Sequence, residues 1–194
     1  MRHPGLLDRD RAVLLLIDLQ EGYRNVLFGW EQVVSSCVLL ARGAGAVGVP
    51  LLVTEQYPRG LGHTARELAP WLPAGSEVVE KLTMSCCGEA EFMRRLGEMQ
   101  CSQVLVAGIE THACVNQTVH DLLAAGYQVH VARDATSSRY KGYTLPAWQK
   151  MRAAGMLPTT AEQALLELVA SARAAEFKAL QGLLKEAPLP LDPA

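Results

Sequence analysis

A cysteine at position 114 follows an apolar stretch and a sharp turn, in the segment GIETHACV at residues 108–115. The apolar run before the turn predicts a buried strand and the periodic residues after it predict a helix, so the thiol lies near a helix start. Backbone N–H groups there favour a thiolate and can hold an oxyanion formed when sulfur attacks a carbonyl. Cys114 therefore has the setting of a nucleophile, although by itself it is equally well a small core residue, as Cys37 and Cys101 are expected to be.

Two charged residues, Asp18 and Lys81, end other predicted strands. The carboxyl ends of parallel strands share one edge of a sheet, and Cys114 follows its own strand at that edge. A carboxylate there can accept the thiol proton, and an ammonium offsets the repulsion between carboxylate and thiolate. Each residue also has an ordinary alternative, Asp18 as a turn cap and Lys81 as a solvated strand end.

The rest of the chain predicts the elements that bring these residues together. Short apolar runs alternate with stretches of helical period, which favours an α/β fold with a parallel sheet and helices on both faces. The predicted strands are residues 12–19, 50–54, 77–81, 103–109, 127–132 and 156–160. The predicted helices cover residues 30–47, a short stretch at 65–72 capped by Thr64, the segment around 92–99, the segment from Cys114 to Gly126, residues 143–154, and two closing stretches around 165–169 and 177–184.

The length, charge and cysteine content of the chain argue against several classes of function. The 194 residues predict a single domain with a core at about 10–185 and a Pro-rich tail at 187–194, and the net charge of -2 with no basic run argues against nucleic acid and anionic membranes. No stretch reaches the roughly 18 apolar residues of a membrane span, and the N-terminal residues lack the apolar core of a signal peptide. Five cysteines without C-x-x-C spacing indicate a reducing compartment, so we expect a cytoplasmic protein.

Three motifs resemble those of the isochorismatase-like cysteine hydrolases: LLIDLQ around Asp18, VVEKLTMS around Lys81 and GIETHACVNQT around Cys114. The likeness is greatest to the isochorismatase domain-containing subgroup, through TEQYPRGLG at 54–62 and QVHVARDATSSR at 128–139. The resemblance implies a Rossmann-like three-layer fold with a six-stranded parallel sheet. It also implies hydrolysis of a C–N or C–O bond of a small-molecule amide, ester or related substrate through a covalent cysteine intermediate.

The resemblance also implies a role for each matched residue. Cys114 would be the nucleophile, Asp18 the base and Lys81 the cation of a catalytic triad. A cis peptide bond between Ile109 and Glu110 would aim the Glu110 N–H, together with that of Cys114, at the oxyanion. A homo-oligomer is expected by the same likeness.

No cofactor and no metal are expected, because this chain departs from the metal-binding members of the family. Nicotinamidases bind a metal through an Asp-x-His pair after the second strand and a further histidine. Here Glu55, Gln56 and Tyr57 stand at that place, and only His63 follows. A single histidine is more readily a surface or substrate-contacting residue than a zinc ligand.

Residues near the predicted edge are candidates for substrate contact, each with packing or capping as the alternative. For Thr111 the alternative to substrate contact is capping of the helix that follows. A loop at 134–139 would shape the site or a subunit contact. The candidates for substrate contact are Gln20, Tyr23, Phe28, Glu55, Gln56, Tyr57, His63, Thr111 and His112.

Two other functions compete with hydrolysis. The chain could be a catalytically idle scaffold that binds a metabolite or a protein partner, although an idle fold has no need of a carboxylate, an ammonium and a thiol at one edge. A thiol redox protein that uses Cys86 and Cys87, or Cys114, ranks last, because adjacent cysteines form strained bridges and the chain has no C-x-x-C pair. Nothing in the sequence selects an amide, an ester or an enol ether as substrate.

Overall fold

A six-stranded parallel sheet forms the centre of the molecule, seen in a computed structural model that describes residues 2–72 and 78–186. The strands are β1 (Ala12–Ile17), β2 (Leu51–Gln56), β3 (Val79–Lys81), β4 (Gln103–Ile109), β5 (Gln128–Ser137) and β6 (Leu157–Thr159). Their order in the sheet is β3-β2-β1-β4-β5-β6. The predicted α/β class and parallel sheet are confirmed.

Helices cover both faces of this sheet in the described part of the chain. They are α1 (Trp30–Val47), α2 (Pro58–Leu61), α3 (Ala90–Glu98), α4 (Asn116–Ala124), α5 (Lys141–Ala153), α6 (Ala161–Val169) and α7 (Phe177–Glu186). Buried residues of α1, α6 and α7 form one core, and those of α3, α4 and α5 form the other. No helix within residues 2–72 and 78–186 is long and apolar enough to cross a bilayer.

The central strand β1 is buried on both faces, which explains its unbroken aliphatic sequence. Leu14 and Leu16 point into the core beneath α1, whereas Val13, Leu15 and Ile17 point into the opposite core. Successive side chains of a strand alternate between its two faces, so a strand covered on both sides must be apolar at every position.

The order in which strands are added to the sheet reverses between β1 and β4. From β1 the chain adds β2 and β3 on one side, and then it crosses to β4 on the other side of β1. Ligands of such sheets bind in the crevice outside the carboxyl ends of the strands at this reversal. Asp18 follows β1 and Cys114 follows β4, so both lie at that crevice.

Several predicted elements differ from the structure. Residues 65–72 do not form the predicted α-helix but turns and one 3₁₀ turn at Ala69–Trp71, because Thr64 gives its hydroxyl and N–H to Glu55 instead of capping a helix. Strand β5 runs on to Ser137, past a register shift opposite β4, so most of the predicted loop at 134–139 is strand. Residue 77 of the predicted third strand and the tail at 187–194 lie outside the described residues.

Gly108 allows β1 and β4 to approach each other next to the crevice. It pairs with Ile17 and has a φ of +114°, and a Cβ at this position would lie 2.1 Å from the Ile17 carbonyl oxygen. Any other residue would have to push apart the two strands that carry Asp18 and Cys114.

We expect Gly108→Ala to lower the free energy of unfolding by more than about 3 kcal/mol, because it combines a disfavoured φ with a backbone clash. Gly155→Ala is the matched control, since Gly155 has a φ of +109° and nothing within 4 Å of its Cβ position. It should cost about 1 to 2 kcal/mol from the backbone conformation alone. Urea unfolding measures both, and equal losses in the two variants would contradict the close-approach explanation.

Candidate active site

Asp18 occupies a strained position directly after β1. Its φ is +53°, a left-handed conformation that aspartate tolerates better than most residues, and its N–H donates to the Thr54 carbonyl oxygen at 3.1 Å. This turn ends the strand and directs the carboxylate into the protein, where it is almost completely buried. A buried carboxylate needs partners for its charge and its lone pairs.

Lys81 supplies the charge partner from the end of β3. Its ammonium nitrogen lies 2.7 Å from Asp18 Oδ2, and the two side chains are 0% and 2% exposed. The pair spans β2, the strand that lies between β1 and β3 in the sheet. Removing one member of such a buried pair leaves the other charge without compensation.

Further acceptors hold the Lys81 ammonium in place. It donates to Gln56 Oε1 at 2.6 Å and to the carbonyl oxygens of Thr83 and Met84 at 3.2 Å each. Gln56 is itself fixed, because its Nε2 donates to the Leu82 carbonyl oxygen at 3.0 Å. With its donors engaged in this way, the ammonium is a rigid charge and not a mobile surface lysine.

The second oxygen of Asp18 accepts a hydrogen bond from a neighbouring strand. Thr54, at the level of Ile17 on β2, donates its hydroxyl to Asp18 Oδ1 at 2.7 Å, and Thr54 is fully buried. The carboxylate thus has an ammonium on one oxygen and a hydroxyl on the other. Its orientation is set from both sides.

Cys114 completes the group from a π-helical turn, Thr111–Val115, that leads into α4. A cis peptide bond joins Ile109 to Glu110 just before this turn. The Cys114 thiol lies near enough to Asp18 and Lys81 for the charges of both to shift its pKa, and Cys114 is 6% exposed. The structure therefore brings together Asp18, Lys81 and Cys114.

The surroundings of Cys114 favour the neutral thiol. Burial, and then the Coulombic repulsion of Asp18, raise the pKa of Cys114 to about 12 in spite of Lys81. Burial thus opposes the thiolate that a helix start is expected to favour, and the carboxylate opposes it as expected. Burial also raises the pKa of Asp18. For Lys81 burial lowers the pKa, but Asp18, Cys114 and Cys86 together outweigh it and raise the pKa of the ammonium.

Residues 12–163 match the family model described as the isochorismatase domain. The chain belongs to the isochorismatase family. Isochorismatase domain-containing protein 2A of Mus musculus is 38% identical over 188 residues, which are 96% of this chain and 88% of that protein. The structure of MAR1 ribonuclease from Caenorhabditis elegans has a TM-score of 0.90 and 34% identity, with 95% of each chain covered.

A more distant neighbour of this isochorismatase-family protein shares the fold alone. The YcaC gene product from Escherichia coli, described as an octameric hydrolase of unknown specificity, has a TM-score of 0.84 at 19% identity. The alignment covers 96% of this chain and 98% of that one.

The backbone around Glu110 is held by a second buried carboxylate. The Glu110 side chain accepts the Arg139 N–H at 2.8 Å and the Arg139 Nε–H at 3.2 Å. This contact ties the end of β4 to the segment after β5. It holds the peptide whose N–H the family resemblance implies as an oxyanion donor, a role that stays a prediction.

Three of the residues predicted to contact substrate are engaged within the protein. The Gln20 side chain accepts the Gln56 N–H at 2.7 Å and donates to the carbonyl oxygens of Gln56 at 3.0 Å and Gly62 at 2.6 Å. Glu55 accepts the Thr64 N–H at 2.6 Å and pairs with His63 Nδ1 at 3.0 Å. Gln20 and Glu55 thus anchor the loop between β2 and the 3₁₀ turn, and Gln56 supports Lys81. Substrate contact by any of them stays a prediction.

The aromatic candidates lie around the crevice at different depths. Tyr23 is partly buried, and burial, with the charges of Glu110, Cys114 and Asp18, raises its pKa to about 12. Phe28 and Tyr57 are about half exposed, and His63 is exposed over 82% of its side chain.

The two candidates in the π-helical turn face different surroundings. His112 Nδ1 is 3.0 Å from Ser138 Oγ, its ring lies 5.0 Å from that of Tyr143, and both residues line a cleft of about 380 Å³. Thr111 is fully buried, and its hydroxyl makes no hydrogen bond to the described residues. The capping alternative for Thr111 is therefore wrong, because the turn has no side-chain cap.

No group of three or more His, Cys, Asp or Glu side chains within residues 2–72 and 78–186 is arranged to hold a metal ion. His63 and Glu55 are the nearest approach to the nicotinamidase pattern, and both Glu55 oxygens have protein partners.

Sequence reasoning missed Thr54 and the role of Gln56. Both lie on β2, the strand over which the ion pair passes. Thr54 binds Asp18, and Gln56 binds Lys81. The available signal was the placement of three polar residues, Thr54, Glu55 and Gln56, at the carboxyl end of an otherwise apolar strand. Such residues at that edge either face the site or support the residues that do.

We expect Lys81→Met to lower the free energy of unfolding by about 3 to 5 kcal/mol at pH 7, because it leaves the buried Asp18 carboxylate uncompensated. Without Lys81 the folded-state pKa of Asp18 rises further above its unfolded value of about 3.9, so stability falls as pH rises through that window. The deficit should therefore shrink at about pH 4 to 5.

Arg9→Met is the control for that measurement, because the Arg9–Glu176 pair is at the surface, with side chains 40% and 32% exposed. It should change stability by less than about 1 kcal/mol. Denaturant unfolding at several pH values measures both variants. A Lys81→Met deficit that stays constant from pH 4 to 8 would show that Asp18 carries no uncompensated charge in the variant.

Proposed function

We propose that this protein is a cysteine-dependent hydrolase of a small-molecule amide, ester or related C–N or C–O bond. The observation that carries the proposal is a buried thiol, Cys114, that interacts electrostatically with both members of the buried Asp18–Lys81 pair at one edge of the sheet. Family membership supports hydrolysis as the class of reaction. The near-complete burial of Cys114 favours a small substrate group over a bulky one.

The first step forms the covalent intermediate. Asp18 takes the proton of the Cys114 thiol as the sulfur attacks the carbonyl carbon of the substrate. The carbonyl oxygen becomes an oxyanion, for which the N–H groups of Glu110 and Cys114 are the proposed donors. The oxyanion then collapses, the bond to the leaving group breaks, and the amine or alcohol leaves with the proton from Asp18.

The second step releases the acid. Asp18 accepts a proton from a water molecule that attacks the thioester, and the bond to sulfur breaks. The proton returns from Asp18 to the sulfur, and the thiol is restored with the acid as product. Asp18 is thus the base in one direction and the acid in the other.

The role proposed for Lys81 is to keep the charge of the site constant. When Asp18 gives up its negative charge to sulfur, the ammonium lies beside both groups, so no net charge is created or buried. This explains how a thiol whose pKa is about 12 can still act at neutral pH. Proton transfer within the site replaces ionisation into solvent.

Cleavage of RNA, the activity in the description of the Caenorhabditis elegans structure, is not the function that this site favours. The chain has a net charge of -2 and no basic run to bind a phosphate backbone. A homo-oligomer and a cytoplasmic location stay predictions.

We expect Cys114→Ala to abolish turnover of any substrate found in a panel of small amides, esters, ureas and vinyl ethers, with a loss of at least about 1,000-fold. A slow substrate or electrophile should add its mass at Cys114 in the wild type. Intact-protein and peptide mass spectrometry measure the adduct.

Cys101→Ala is the matched control, because Cys101 is a half-buried thiol that precedes β4, whereas Cys114 follows it. This variant should keep turnover and labelling at Cys114. Adducts confined to Cys87 or Cys101, with turnover intact in Cys114→Ala, would refute the proposal. Including a short RNA in the panel tests the competing substrate directly.

A further inference from the structure

A hydroxyl and a second thiol form a buried chain behind Asp18 that the reaction above does not use. Thr54 donates to Asp18 Oδ1 at 2.7 Å, and Cys86 Sγ lies 3.8 Å from the same Thr54 hydroxyl oxygen. Both side chains are fully buried. A thiol with no access to solvent that points at the residue holding the proposed base is more than a core filler.

The position of Cys86 is fixed by its own backbone. Its N–H donates to Thr118 Oγ1 at 2.9 Å, which ties the 3₁₀ turn Cys86–Gly88 to α4, the helix that follows Cys114. Burial, and then the charge of Asp18, raise the pKa of Cys86 to about 12. The group therefore remains an S–H donor across the physiological range.

The direction of the hydrogen bonds from Cys86 through Thr54 to Asp18 follows from which groups can donate a proton. A hydroxyl has one proton to donate and lone pairs that can accept. When the Cys86 thiol donates to the Thr54 oxygen, the Thr54 proton is left to point at Asp18 Oδ1. The carboxylate oxygen that faces Thr54 is then occupied, and Oδ2, beside Lys81, remains to take the proton from Cys114.

We propose that Thr54 is a positioning residue for Asp18, which reserves Oδ2 for the thiol proton, and that Cys86 orients the Thr54 hydroxyl. The proposal rests on the function proposed above and adds two residues to it. A hydrogen bond to the charged carboxylate also stabilises its ionised form, so Thr54 keeps Asp18 available as a base at lower pH.

The test is the pH dependence of Cys114 alkylation by iodoacetamide, followed at each cysteine by peptide mass spectrometry. This readout needs no knowledge of the substrate. We expect the acid limb of the profile to depend on Asp18. In Thr54→Val the limb should move to higher pH and the rate at pH 7 should fall roughly 10- to 100-fold, the effect of losing one hydrogen bond to a charged group.

Rescue separates positioning from packing. Thr54→Ser keeps the hydroxyl and should restore the acid limb to its place in the wild type. Cys86→Ala should shift the limb in the same direction as Thr54→Val but by less. The Thr54 hydroxyl can still donate to Asp18 in that variant, although the Cys86 thiol no longer orients it. Cys87→Ala is the matched control and should leave the profile unchanged. Cys87 is the neighbouring, half-buried cysteine, and its backbone N–H donates to Ser85 Oγ.

An acid limb that stays in place in both Thr54→Val and Cys86→Ala would overturn the inference. If Thr54→Val does not fold, as circular dichroism would show, Cys86→Ala decides the question alone, and an unshifted limb there overturns it. Asp18→Asn separates the two proposals: a profile identical to the wild type would remove Asp18 as the base and with it the proposed function.

Discussion

The buried Asp18–Lys81 pair is the interaction on which the rest of the site depends. It joins the ends of two strands that are not neighbours, and it passes over β2, whose side chains Thr54 and Gln56 each bind one member. The ion pair thereby fixes the short edge strand β3, which has only three residues, to the centre of the sheet. The position of the cation is thus set by the sheet itself.

This arrangement gives the proposed nucleophile, Cys114, an unusual resting environment. A thiol with a raised pKa is weakly reactive towards solvent-borne electrophiles, but it lies beside a base whose own pKa is raised by burial. The two pKa shifts have the same direction, so the free energy of moving the proton from sulfur to carboxylate changes less than either group alone would suggest. Low reactivity at rest and, under the proposed mechanism, proton transfer from sulfur to Asp18 are both consequences of the same burial.

Much of the fold could be predicted from the sequence because local patterns determine it. The bounds of α1 and β4 were predicted to the residue, and the three residues of the proposed triad were found because parallel strands end at one edge. The 3₁₀ turn at Ala69–Trp71 was missed because Thr64 is committed to Glu55, a tertiary contact that no local pattern reveals. The extension of β5 depends on a register shift against β4, which is equally non-local.

The electrostatics were the least predictable part. A helix start lowers the pKa of a cysteine, and that rule predicted a thiolate at Cys114. Burial outweighs the helix effect here, and burial depends on how the elements pack. The polar end of β2 placed Thr54 near the site, but nothing in the sequence separates a threonine that packs its methyl group from one that donates its hydroxyl to Asp18.

The engagement of Glu55 bears on how a metal-dependent relative could arise from this scaffold. Replacing Tyr57 with histidine would recreate part of the nicotinamidase ligand pattern, yet the Glu55 oxygens already bind the backbone and hydroxyl of Thr64 and the ring of His63. Recruiting that carboxylate for a cation would release the loop that it anchors. A cation site at this place would therefore need other contacts to hold the loop, so the anchoring role of Glu55 and a metal-binding role exclude each other.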